Sequence, residues 1–319
     1  MISIIVSSYK NHFYSQFVEN VKKTIGNLPY EVIKINNPGL MGICQAYNKG
    51  AKQAKYSYLC FSHEDVQFKT ENWGSVLVGQ FEENTDTGII GIAGSTYKSL
   101  SPGTGWLNRN EQLDRLHFIQ HYRDSTTEVF DNSDQPKLDK VVTLDGVFLF
   151  TSKAVWEKNN FDENTFRDFH CYDVDFCLSA ARHFKLYVTN QVLLEHFSPG
   201  AFSEKWLQES LKLAKKWKST LPVGEIDPGL QREVEWRHKE WFVLELFRYR
   251  NSFSQWIIWV KVLFGYGFWR FFSFKRFFSL AGKIVLLLYR ICLIKLGALA
   301  IRFMSFFTIK QTDKAVRGN

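Results

Sequence analysis

The sequence predicts an α/β fold with a mostly parallel sheet flanked by helices, and three features carry that expectation. Apolar runs of strand length alternate with helical patterns over about the first two hundred residues. The runs are continuously apolar rather than alternating, as in strands buried on both faces. Several of them close on polar residues, at the carboxyl ends where such sheets bind ligands.

In order, residues 2–7 (ISIIVS) form the first apolar run. No basic stretch precedes it and no small-residue cleavage site follows, so it reads as a strand and not as a signal peptide. Helical spacing then covers 13–25, 43–54 and 72–83, between apolar runs at 31–36, 56–62 and 88–94. Two further runs, 141–151 and 186–194, complete the strand set. This places Ser7, Ser8 and Tyr9, Asn36 and Asn37, and His63 to Asp65 on one rim. Residues 99–140 are polar and irregular, which predicts a functional loop or an insertion. The stretch STLPVGEIDPG, 219–229, combines Pro and Gly and reads as a linker before a helical 230–250. The expected organisation is therefore a catalytic domain over 1–220, a linker over 221–229 and a helical region over 230–319.

The net charge of +8 is unevenly placed. From Lys261 onward there are eleven Lys/Arg and one acid, Asp313, so this tail carries +10 and leaves −2 for the rest. A near-neutral body argues against nucleic acid as its partner. The five cysteines include no C-x-x-C pair, which predicts reduced core thiols.

Five segments then stand out: IIVSSYK, GICQAYNKGAKQAKYSYLCFSHEDVQF, TLDGVFLFTSKAVWEKNNFDE, FRDFHCYDVDFCLSAA and VTNQVLLEHFSPG. In this order and spacing the chain resembles the family 2-type glycosyltransferases of the GT-A fold, most closely the StrF-like branch typified by a streptomycin-biosynthesis protein. The resemblance covers roughly residues 1–200.

It implies a nucleotide-sugar donor and a divalent cation, Mn2+ or Mg2+, at the strand end FSHEDV. There an Asp-x-Asp motif is replaced by His63-Glu64-Asp65, and only Asp65 matches its last acid. Asp65 is the expected metal ligand, because hard cations take carboxylate and phosphate oxygens. His63 stands where the ribose or diphosphate is contacted, and manganese tolerates imidazole beside oxygen. Glu64 is expected to point away from the site. The plain alternative is a polar strand end entering a loop.

Asp173, in the box Tyr172-Asp173-Val174-Asp175, is the implied general base. A carboxylate within reach of the acceptor hydroxyl can take its proton, and a helix N-terminus would keep it ionised. A helix cap is the alternative role, better suited to Asp175. His196 in LLEHFSPG is implied to contact the metal or diphosphate, with a buried structural histidine as its alternative. Ser7, Ser8, Tyr9, Asn36 and Asn48 are the implied nucleotide-sugar residues. Asn48 is what remains of an Ala-Arg-Asn segment, here Ala46-Tyr47-Asn48, so the usual arginine is missing. Asp145 and Gly146, with His170 and Tyr172, would line the sugar and acceptor pocket, although an Asp-Gly turn competes for the first pair. No nucleophile with its own activating base is evident, which predicts a single displacement with inversion and leaves retention as the alternative.

The tail, 256–310, is rich in Trp, Phe and Leu, yet its uncharged runs fall short of the about 18 residues that a membrane span requires. Arg276, Lys283 and Arg290 are seven apart and share a helix face. Lys295 and Arg302 share another, about 140° away on an ideal helix. Such a helix suits an anionic membrane surface, whereas packing on the catalytic domain or a partner subunit is the bland reading. Together these features predict a peripheral enzyme on the cytoplasmic face of the inner membrane. Its acceptor would be a lipid-linked glycan in bacterial surface polysaccharide synthesis, such as lipopolysaccharide or capsule. A homo-oligomer or association with other assembly enzymes fits this setting. A catalytically inactive nucleotide-binding or scaffold protein is the rival.

Overall fold

The structure is a computed structural model that describes residues 1–103, 108, 110–198, 200, 202–249, 256–287 and 289. Contacts divide the chain into two compact units, Met1–His238 and Lys239–Asn319.

The first unit opens with β1 (Ile2–Ser8), α1 (Asn11–Thr24), β2 (Tyr30–Asn36), α2 (Ile43–Gln53) and β3 (Tyr58–Ser62). After β4 (Val66–Phe68) and α3 (Trp73–Glu83) come β5 (Thr87–Gly91) and β6 (Ala93–Ser95). Short strands follow: β7 (Asp114–Leu116), β8 (Phe118–His121), β9 (Thr127–Phe130), β10 (Leu138–Val141) and β11 (Thr143–Leu144). Then come β12 (Phe148–Ser152), α4 (Lys153–Asn159), α5 (Tyr172–Ala180), β13 (Lys185–Thr189), β14 (Leu194–His196) and α6 (Glu204–Lys216).

The main sheet has the order β10-β13-β5-β12-β3-β1-β2. Strands β1, β2, β3, β5 and β13 run in one direction, and β12 and β10 run against them. The period of two along each central strand divides its side chains between two cores. Ile2, Ile4 and Val6 of β1, with Cys60 of β3, face the core that α1 and α3 close with Phe17, Val21, Trp73 and Leu77. Ile5, Leu59 and Phe61 face the other core, closed by α2, α4 and α5. Burial on both faces is why the strands read as unbroken apolar runs. Helix α2 lies so close to β1 that a Cβ on Gly50 would stand 2.3 Å from Cγ2 of Ile5.

Three of the expected strands are each two strands. The apolar run at 88–94 passes from β5 in the main sheet to β6 in the three-stranded sheet β11-β6-β7. The run at 141–151 divides at Asp145–Val147 into β11 and β12, and that at 186–194 into β13 and the approach to β14. Residues 99–140, expected as a functional loop or an insertion, carry β7 to β9 and most of β10, strands too short to show a period. Pairing β14 with β4 and β8 sets His196 opposite Val66, and the Phe197 amide donates to the Asp65 carbonyl at 3.0 Å. The four-stranded sheet β4-β14-β8-β9 thereby holds His196 beside the tip of β3.

The first unit runs on past 220. Leu221 is in the core, Val223 bridges to Lys98, and helix α7 (Pro228–Tyr249) begins here. In its first turns the Glu235 carboxylate accepts from the Tyr97 hydroxyl at 2.6 Å and from the Leu100 amide at 2.9 Å. Cys44, Cys60, Cys171 and Cys177 are free and buried, and Cys292 lies outside the described residues.

In the second unit α7 continues, followed by α8 (Trp256–Phe264), α9 (Phe268–Phe271) and helical residues 274–287. Lys283 is ion-paired with Glu240. Among the described residues no helix is long and apolar enough to cross a membrane. The helix from 274 presents Phe274, Phe278, Val285 and Tyr289 to solvent, each more than 60% exposed. Arg290, Lys295 and Arg302, expected to supply cationic faces, lie outside the described residues.

Candidate active site

A cavity of about 780 Å³ opens at the carboxyl ends of β1 and β3. Ser7, Tyr9, His63, Asp65, Asp145, Gly146, His170, Tyr172, Asp173 and His196 all line it, so most of the expected site residues converge there.

His63, Asp65 and His196 form a cluster in which one ligand atom from each lies within 4.8 Å of the others. Nε2 of His196 is 3.7 Å from Oδ1 of Asp65. That nitrogen is buried without a hydrogen-bond partner, an orphan that a cation would satisfy. Loss of solvation pulls both histidines below the usual imidazole range, His196 to about 4, against the opposing charge of Asp65. Two imidazoles and a carboxylate suit a first-row divalent ion that tolerates nitrogen beside oxygen better than they suit Mg2+, so of the two expected cations the residues present fit Mn2+.

Asp173 sits in the first turn of α5. Its Oδ2 accepts from the Gly146 amide at 3.0 Å and its Oδ1 from its neighbour Val174 at 2.9 Å. Loss of solvation, then the nearby charge of Asp145, raises its carboxyl to about 7. The expectation that the helix dipole would keep it ionised is therefore outweighed at this carboxyl, and a value near neutrality is what general-base chemistry requires. Asp175 is buried on the far side of the turn, bonded to the Trp217 indole at 2.7 Å and to Lys216.

Asp145 accepts from the Val147 amide at 2.8 Å, the Asx-turn geometry of an Asp-Gly bend. The bend still brings Gly146 to the cavity. The Tyr172 hydroxyl donates to the Gly146 carbonyl at 2.9 Å and lies 3.0 Å from Nε2 of His63. His170 is half-buried, and loss of solvation holds its imidazole below the usual range.

Three expected nucleotide contacts lie elsewhere. Asn36 is exposed, and its neighbour Asn37 reaches the cavity; alternation along a strand end sends consecutive side chains to opposite sides. Ser8 is buried beneath the rim, outside the cavity lining. Asn48 is structural. Its amide donates to the Phe161 carbonyl at 2.8 Å and to Glu163 at 2.9 Å, and its oxygen accepts from Trp156 and Phe161. With both ends engaged, it pins α2 to α4 and to the segment after it.

Glu64 also departs from expectation. It is buried at the cavity wall, where its Oε1 accepts from the amides of Tyr9 and Lys10 at 3.0 and 2.7 Å. It thus ties the tip of β3 to the tip of β1. Other lining residues had no signal in the sequence. Lys10, Arg167 and Lys205 bring positive charge from three separate segments, and Gln120 enters from β8.

The sequence model described as "Glycosyltransferase like family" matches residues 3–214. No curated protein matches the chain. Among solved structures, that of S. aureus TarS 1-349 is similar, with a TM-score of 0.51 and 13% identity, covering 82% of this chain and 78% of that one. The same protein in complex with UDP gives 0.49 and 11%, over 82% and 78%. GalNAc-T7 with UDP, GalNAc and Mn2+ gives 0.46 and 12%, over 78% and 58%. At these identities the likeness to TarS speaks for the fold.

Proposed function

The chain belongs to the glycosyltransferase-like family, and on that premise we propose that it transfers a sugar from a nucleotide-sugar donor with inversion. The observation that carries this reading is the convergence of Asp65, Asp173 and His196 on one cavity, from the end of β3, the start of α5 and the end of β14. Its acceptor is a lipid-linked glycan of bacterial surface polysaccharide synthesis, and the StrF-like branch is its place within the family.

Asp173 takes the proton of the attacking hydroxyl, held in line by the Gly146 amide. Asp65 and His196 would hold a divalent ion, which supplies positive charge to the donor diphosphate and leaving group. Lys10 and Arg167 add charge at the mouth in place of the arginine missing from α2. The walls position donor and acceptor and limit water, which supplies much of the rate advantage.

The test is release of nucleotide from a panel of sugar nucleotides by the purified full chain, with and without Mn2+. Turnover of at least one donor is expected, with loss of activity in EDTA. Binding of a nucleotide without turnover of any donor would favour the inactive, scaffold reading.

The membrane setting is supported by the second unit. Trp269, Phe274 and Phe278 are more than 60% exposed, and the tail around them carries +10. Aromatic surface with basic flanks fits an anionic interface on the cytoplasmic face. The full chain is expected to sediment with phosphatidylglycerol-containing vesicles, and a Phe274→Ser/Phe278→Ser variant to sediment several-fold less. Equal sedimentation of the two would exclude this face as the contact.

A further inference from the structure

We propose that Gln120 and Tyr172 are positioning residues that fix opposite tautomers in the two histidines of the cluster. His196 is held with its proton on Nδ1 and His63 with its proton on Nε2. The inference rests on the reading of this cavity as a metal-assisted transfer site.

Gln120 is buried on β8, in the stretch where the sequence showed no pattern. Its Nε2 faces three carbonyl oxygens, those of His121 at 2.7 Å, Ser198 at 3.2 Å and His196 at 3.3 Å. A flipped amide would set its own oxygen against all three, so the network fixes the orientation. Oε1 then faces Nδ1 of His196 at 3.0 Å. An amide oxygen only accepts, so Nδ1 carries the hydrogen and Nε2 keeps its lone pair. Nε2 is the buried atom left without a partner beside Asp65.

The logic at His63 is reversed. The Tyr172 hydroxyl has one hydrogen, and it goes to the Gly146 carbonyl. Towards Nε2 of His63 it can only accept, which requires Nε2–H. Nδ1 is then the His63 nitrogen with a lone pair to offer. Outer partners of this kind orient ligating histidines and raise their basicity.

The first test needs no metal. Two-dimensional 1H–15N spectra of the metal-free full chain separate the tautomers by their ring-nitrogen shifts, with His196→Gln and His63→Gln variants assigning the signals. Nδ1–H at His196 and Nε2–H at His63 are expected, and the reverse tautomer at either residue overturns its assignment. The second test is calorimetric titration with Mn2+ alone. Gln120→Leu is expected to weaken Mn2+ binding about 10–100-fold and, in the metal-free spectra, to shift His196 away from the Nδ1–H tautomer. Circular dichroism confirms folding of each variant. Unchanged Mn2+ affinity in folded Gln120→Leu, or a wild-type chain that binds no Mn2+, overturns the positioning role. Nucleotide release, measured separately on the same chain, tests the transferase reading itself.

Discussion

Replacing Asp173 by asparagine is expected to lower sugar transfer by about 10²–10⁴-fold, the usual worth of a positioned general base. Asparagine keeps the size of the side chain and one acceptor for the Gly146 amide, so the pocket retains its shape and the loss falls on kcat more than on KM. In the wild type the rate should rise with pH through about 7, the value to which loss of solvation and Asp145 raise the Asp173 carboxyl. The same shift has a consequence for stability. Between the ordinary carboxylate value of 3.8 and about 7 the native state holds a proton that the unfolded chain has released. Its stabilising contribution is complete below that window and is lost as pH rises through it. Asp173→Asn carries no such charge, so its melting temperature relative to wild type should improve between about pH 5 and about pH 8. Paired melting curves of the two proteins, without metal or donor, read this directly. A difference that stays flat with pH would mean that Asp173 is ordinarily ionised and that the pH–rate limb belongs to another group.

How much of this site could be read in the chain depends on how each residue is signalled. Strands β1 and β3 are unbroken apolar runs because both faces are buried, and their polar ends mark the rim. His63, Asp65 and His196 follow such runs directly, Asp173 opens the apolar helical run of α5, and the structure brings all four to one cavity. The bends at Asp145–Val147 and after Thr189 were hidden, because the residues on either side are buried in different sheets and apolarity continues across the break. Asn48 shows the limit of a motif. Its position matches, yet its hydrogen bonds are spent on Phe161, Glu163 and Trp156. Glu64 is the converse, a residue between two candidates whose task, binding the Tyr9 and Lys10 amides, is set by a strand distant in sequence. Gln120 could not have been found at all, since a strand of four residues carries no period and all its partners but the His121 carbonyl come from β14 and the turn beyond.

Gly146→Ala should be damaging well beyond the single methyl group that it adds. A Cβ there would stand 2.1 Å from the Tyr172 hydroxyl and 2.4 Å from Cζ of the same ring. A flexible side chain could swing away, but this ring is enclosed. Tyr47, Phe161 and Phe169 pack on it with centroids 5.7 to 6.1 Å away, and its hydroxyl is held by Gly146 and His63. The backbone at 146 must therefore move, at an overpacking cost of about 1–3 kcal/mol and a fall in melting temperature of several degrees. Activity should suffer more than stability. The Gly146 amide holds Asp173 and its carbonyl holds Tyr172, so one displacement misplaces both the base and the partner of His63. A shift of about 1 Å at such a point can cost on the order of 100-fold in rate. Second-site variants separate this steric account from a general loss of fold. Tyr172→Phe removes the hydroxyl but leaves Cζ in the way, so it should not restore the melting temperature of Gly146→Ala. Tyr172→Leu removes the ring and should restore part of it, without restoring activity. Rescue by Tyr172→Phe would place the conflict at the hydroxyl alone, and the enclosure of the ring would then not be what makes glycine necessary at this bend.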